Sequence, residues 1–174
     1  IVNASQNEVN GGSIRLAVVH ESRCHVTKVS PEAMWLMEQE KTHKIYTNHA
    51  FVSFKENVER QKKDLLTLLQ ELKKAGKTVI GYGASTKGNV ILQYCGIDQD
   101  LLPYIGDITP FKDGVFTPGT KIPVISMEKA KAMNPNYFLV LPWAFRNDII
   151  LREKGTLHNG TKFIFPLPFV EIVS

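Results

Sequence analysis

From Lys77 to the C-terminus, short apolar runs alternate with helical stretches, and this alternation constrains the fold more than any other feature of the chain. The runs cover residues 78–83, 103–107, 122–126, 137–141 and 162–166. Helical patterns at 86–94 (closed by Gly96), 127–133 and 144–154 separate them. Strands buried on both faces read as continuous apolar segments, and parallel neighbours need a crossover that is usually a helix. The pattern therefore predicts an α/β fold: a doubly wound, mainly parallel sheet with helices on both faces.

The N-terminal third reads differently. Asn10-Gly11-Gly12 is a turn signal, and residues 13–20, SIRLAVVH, read as a strand. Residues 21–47 are more polar, and within them Ser30-Pro31-Glu32 combines a hydroxyl cap, a first-turn proline and a first-turn acid. A short helix over 31–41 is expected there. A long amphipathic helix follows over 49–75, with Phe51, Phe54, Val58, Leu65, Leu68, Leu69 and Leu72 at helical spacing and Gly76 as its stop. That stripe reads as core or domain-interface packing. Residues 1–20, a connecting arm over 21–48 and a compact unit over 49–174 are the expected divisions.

Composition narrows the function classes. The 174 residues are 43% hydrophobic and 22% charged, as in an ordinary globular domain. No apolar run approaches the roughly 20 residues that span a bilayer, so no membrane partner is expected. The start, IVNASQNEVN, has neither a signal-peptide pattern nor an initiator Met, which suggests a fragment or a processed chain. Cys24 and Cys95 lie far apart without metal-ligand spacing and read as reduced, buried thiols of a cytoplasmic protein. Lys55, Arg60, Lys62, Lys63, Lys73, Lys74 and Lys77 crowd the long helix, but Glu56, Glu59, Asp64 and Glu71 interleave with them. A solvated face explains this better than nucleic acid, which is not an expected partner. The histidines do not cluster, Ser85 lacks a nucleophile-elbow frame, and no general base stands out.

The chemistry-bearing residues gather at strand ends. Gly81-Tyr82-Gly83-Ala84-Ser85-Thr86-Lys87-Gly88 forms a strand-to-helix turn whose backbone N–H groups can approach an anion at a helix N-terminus. Ser85 and Thr86 add hydroxyls, and Lys87 a mobile charge. The spacing G-x-G-x-x-x-x-G matches neither the dinucleotide fingerprint nor the P-loop. A tight turn needing glycine for packing is the alternative. Asp107, at a second strand end, can accept from sugar hydroxyls or simply cap a turn; Lys112 can meet a phosphate, but a solvated lysine is the favoured reading. Trp143 can stack on a base or sugar and Arg146 can meet phosphate, although a packing Trp and a surface Arg are commoner.

Taken in order, NGGSIR, GYGASTKGN, IGDITPFKDGVFTPGTKIPV and LPWAFRNDII resemble the C-terminal domain of S-adenosylmethionine-dependent sugar C-methyltransferases. These enzymes methylate a ring carbon of nucleotide-linked deoxysugars. The resemblance covers nearly the whole chain and implies a Rossmann-like domain. It also implies two upstream parts: a zinc-binding domain, and a central domain holding S-adenosylmethionine and the Tyr/His acid–base residues. Residues 1–20 would be the tail of that central domain. A nucleoside diphosphate sugar would lie between the central and C-terminal domains, with the methyltransferase domain of the same chain as partner. Carried over by motif, Ser13, Arg15, Gly83, Ala84, Ser85, Lys87, Gly88, Asp107 and Trp143 are the implied substrate-binding residues, and none is implied to be catalytic. Pro118 and Gly119 also match the blocks. On this reading the chain alone is inactive, and neither S-adenosylmethionine nor zinc is bound by it. A stand-alone dinucleotide-dependent oxidoreductase, using Gly81 to Gly88, and a non-catalytic packing or oligomerisation domain are the alternatives.

Overall fold

The computed structural model describes residues 1–23 and 25–174. The thiol expected at Cys24 lies outside the described residues. The chain divides into two compact units, Ile1–Asn57 and Val58–Ser174.

In the first unit, β1 (Asn3–Asn7) pairs antiparallel with β2 (Ser13–Ala17), Asn7 opposite Ser13. The turn between them places Asn10, Gly11 and Gly12 at positive φ. The expected strand thus stops at Ala17 instead of His20, and β1 is an addition. Its sequence, NASQN, carries no apolar alternation, so only pairing across the turn makes it a strand. Helix α1 (Pro31–Thr42) starts where expected: Ser30 Oγ accepts a hydrogen bond from Ala33 N at 3.2 Å. It packs on β1, with Ala4 and Ala33 buried.

Helix α2 (Asn48–Lys74) begins in this unit and continues into the second. Its apolar stripe changes character along its length. Leu65, Leu69 and Leu72 are buried, whereas Phe51 and Phe54 are exposed. Core packing therefore accounts for only the C-terminal half of the stripe.

The second unit contains β3 (Val79–Tyr82), α3 (Thr86–Cys95), β4 (Ile105–Asp107), β5 (Val124–Ser126), α4 (Met127–Ala132), β6 (Tyr137–Val140), α5 (Arg146–Arg152), α6 (Lys154–His158), β7 (Lys162–Phe165) and β8 (Glu171–Val173). The sheet order is β5-β4-β3-β6-β7-β8, parallel throughout except for the antiparallel edge strand β8. This is the Rossmann-like, mainly parallel α/β sheet that the alternation predicts. Helices cover both faces. Leu65 and Leu69 of α2 and Leu92 of α3 pack with Val79, Ile105 and Leu139 on one face. Met127 and Ala130 of α4 and Ile149 of α5 pack with Ile80, Phe138 and Phe163 on the other. Tyr82, Phe138 and Phe163 form an aromatic cluster there, with ring centroids 5.7 to 6.0 Å apart.

Three local expectations change. The strand placed at 103–107 begins at Ile105, and the strand at 162–166 is followed by β8, too short to show a period. The helix placed at 144–154 is a 3-10 turn (Trp143–Phe145), then α5, then α6, broken at Glu153 (φ −100°, ψ 20°). The Glu153 side chain is drawn into a buried network described below. Cys95 is a free, buried thiol whose pKa is raised by burial. Among the described residues no helix is long and apolar enough to cross a membrane.

Candidate functional site

Strand β3 leads through α3 to β4 on one side, while β6 joins β3 on the other. The connections diverge at the carboxyl end of β3, where doubly wound sheets leave a crevice. A cleft of about 300 Å³ opens there. Tyr82, Gly83, Ala84 and Ser85 line it from β3, and Asp107, Ile108, Thr109 and Lys112 from the end of β4. Pro142, Phe145, Asp148 and Arg152 line it from the segment after β6, above Met127 and Ile149.

The floor of the cleft is shaped by glycine. Gly83 has φ +79°, and a Cβ there would meet the Pro142 ring at 2.9 Å. Both the positive φ and the close approach of the β6 segment therefore require glycine. Ser85 caps α3, its Oγ accepting from Gly88 N at 3.0 Å. Gly88 lets the first turn of α3 lie against the sheet: a Cβ on it would sit 2.5 Å from Leu141 Cβ. The N-terminus of α3 is thereby pressed to the cleft rim, and its dipole favours an anion there.

Asp107 ties two loops together. Its Oδ2 accepts from Ala84 N at 2.7 Å, and its Oδ1 from Thr109 N at 2.8 Å. Lys112 Nζ donates to Asp107 Oδ2 at 3.1 Å and to Ala84 O at 2.9 Å. Burial alone would raise the Asp107 pKa. The hydrogen bonds from Thr109, Lys112 and Ala84 outweigh it and hold the carboxyl below its ordinary value. Lys112 is thus part of the loop structure and not the solvated lysine expected.

A second buried cluster lies on the other wall. Tyr82 Oη donates to Glu153 Oε1 at 2.8 Å and accepts from Arg152 Nη2 at 2.8 Å. Glu153 Oε2 accepts from Thr156 Oγ1 at 2.8 Å and pairs with Lys131 Nζ at 2.6 Å. Burial pushes the Tyr82 hydroxyl up to about 12, so it stays protonated. Burial also works to raise the Glu153 pKa, but Lys131, Thr156 and Tyr82 together lower it. The carboxylate is therefore ionised and fully partnered.

The comparisons with known proteins agree with one another. The family described as "C-methyltransferase C-terminal domain" matches residues 8–168. The C-methyltransferase NovU of Streptomyces niveus is 33% identical over 174 residues, all of this chain. The chain belongs to the C-methyltransferase C-terminal domain family. It spans 41% of the length of that relative.

Within this C-methyltransferase C-terminal domain, the motif-derived residues separate into groups. Gly83, Ala84, Ser85 and Asp107 line the cleft. Gly88 lies beneath it as a packing residue. Lys87 and Trp143 pair with each other, the ammonium 5.6 Å from the ring centroid, on the first turn of α3 and in the 3-10 turn. Ser13 and Arg15 belong to the first unit, where Ser13 Oγ donates to Val9 O at 2.8 Å. Arg146, read as a surface or phosphate-binding residue, makes a two-pronged contact with Glu171 at 3.1 and 2.8 Å and lies over the Phe165 ring. It fastens β8 to the sheet.

Tyr82, Arg152 and Glu153 were missed by sequence reasoning. The one signal for them is a tyrosine at the end of an otherwise aliphatic β3. Among the described residues, no group of three or more His, Cys, Asp or Glu could hold a metal ion.

Proposed function

We propose that this chain is the substrate-holding part of an S-adenosylmethionine-dependent C-methyltransferase, and that its cleft takes the nucleoside diphosphate end of a nucleotide sugar. The observation that carries this reading is the cleft at the divergence of β3, β4 and β6, with the capped N-terminus of α3 at its rim. Removing a proton beside a keto group creates an enolate that must lie in line with the donor methyl. Gripping the remote nucleotide is how a second domain contributes to that alignment.

S-adenosylmethionine and the acid–base residues then belong to a part of the protein outside these 174 residues, and the chain alone is inactive. Two observations support this. The relative is more than twice as long as the stretch it shares. The first unit also leaves Ile14, Leu16, Trp35 and Met37 exposed, the kind of apolar surface that a further domain covers.

Isothermal calorimetry of the chain with thymidine diphosphate and a panel of nucleoside diphosphate sugars tests the reading. Binding accompanied by slowed amide exchange over residues 83–88 is expected. Complete failure of every nucleoside diphosphate sugar to bind would remove its main support.

A further inference from the structure

Two cations line the cleft, Lys112 and Arg152, and they are not equivalent. The Lys112 ammonium is tied to Asp107 Oδ2 and Ala84 O. It holds the loops after β3 and β4 together and has little left to offer a ligand. Arg152 places its guanidinium against Tyr82: Nη2 donates to the hydroxyl at 2.8 Å, and the group lies 5.9 Å from the ring centroid. Its Nε is 3.8 Å from Glu153 Oε1, beyond hydrogen-bond reach.

Glu153 pairs with Arg152 only at 3.8 Å and takes its hydrogen bonds from other donors. Oε1 takes the Tyr82 proton donor, and Oε2 takes Thr156 and Lys131. One buried carboxylate therefore faces two cations, and Lys131 holds the closer contact. Asp148 also lines the cleft, one turn earlier on α5. Among the described residues it makes no ion pair with Arg152. The Arg152 side chain lines the cleft and is 50% exposed, with donors left over and its position set by Tyr82.

We propose that Arg152 is the residue that grips the diphosphate of the ligand in this cleft, and that Tyr82 and Glu153 are its positioning residues. The inference rests on the reading of the cleft as a nucleoside diphosphate site and names the group that recognises the anion. A guanidinium offers a planar fork that matches two phosphate oxygens at once. The Tyr82 hydroxyl passes a hydrogen bond from Arg152 on to Glu153, which fixes the tilt of the fork before any ligand arrives. Pre-set geometry of this kind lowers the ordering cost of binding.

Calorimetry of the chain with thymidine diphosphate and with thymidine separates the contributions. R152M is expected to weaken thymidine diphosphate binding by about tenfold or more, the loss of a charge-assisted pair. Thymidine binding should stay within about twofold of the parent, since the nucleoside carries no charge for Arg152 to meet. R152K keeps the charge but not the fork and should fall in between; it also serves if R152M fails to give a cooperative melt. Y82F should weaken the diphosphate, and not the nucleoside, by a few-fold, which a merely structural loss would not do. Parent-like diphosphate affinity in R152M, or equal losses for both ligands, overturns the assignment. If the parent chain binds neither thymidine diphosphate nor any nucleoside diphosphate sugar, the reading of the cleft fails first and this inference falls with it.

Discussion

Asp107 lines one wall of the cleft, and Glu153 backs Tyr82 and Arg152 of another; both acids are buried, both are ionised, and each is in contact with a lysine. Their partners differ in kind. Asp107 receives backbone N–H groups from Ala84 and Thr109, so it sets where two loops run. Glu153 receives side chains from Tyr82, Thr156 and Lys131, so it sets where side chains point. A carboxylate that holds backbone governs the shape of a site, whereas one that holds side chains governs the placement of its charges. The two walls should therefore fail in different ways when disturbed.

The largest effect is expected on the backbone side. D107A leaves two N–H groups without their acceptor and the Lys112 ammonium with Ala84 O but no carboxylate. It should cost about 4 kcal/mol in urea unfolding, the range for breaking a buried ion pair. A loss as small as that of an exposed acid would show that the loops close without it. G88A, on the same side, pushes a methyl to 2.5 Å from Leu141 Cβ and should cost about 2 kcal/mol as α3 shifts outward. An unchanged melting temperature would show that the helix tolerates the shift. On the side-chain wall, Y82F removes one hydroxyl and should cost only about 1 kcal/mol, with its larger consequence in ligand binding.

Acid sharpens the comparison further. Both carboxyls have folded-state pKa values below their ordinary ones of 3.8 and 4.5. Each therefore contributes stability that is complete above the ordinary value and lost as pH falls through the depressed one. Urea midpoints followed from about pH 6 to about pH 3 should drop for the parent chain and drop less steeply for D107N and for E153Q. Parallel curves for all three would mean that neither carboxyl carries the acid sensitivity.

Much of the architecture was legible in the residues. Continuous apolar runs such as YFLV and KFIF mark strands buried on both faces, and their alternation with helices gives the parallel order. Ser30 and Ser85 announce helix starts because a hydroxyl cap is a local event within four residues. Strand β1 was not legible, since NASQN has no pattern of its own and borrows its conformation from β2. Nor was the break at Glu153, because the helical pattern runs through it and the interruption comes from partners at Tyr82 and Lys131.

The site divides along the same line. The glycine loop and Asp107 could be found because strand-to-helix turns concentrate function in a doubly wound sheet. That Asp107 is a tie between loops, that Lys112 is its partner, and that Gly88 packs against Leu141 could not be read from spacing. Arg152 carries no sequence signal beyond a charge within a helical pattern. Local sequence determines what a segment of a few residues prefers: apolar period, cap, turn and glycine. The pairing of Tyr82 with Glu153 and Arg152, some 70 positions away, was decided only by the tertiary structure. Which donor meets which acceptor across that separation depends on how the sheet orders its strands, and burial then makes each such meeting strong.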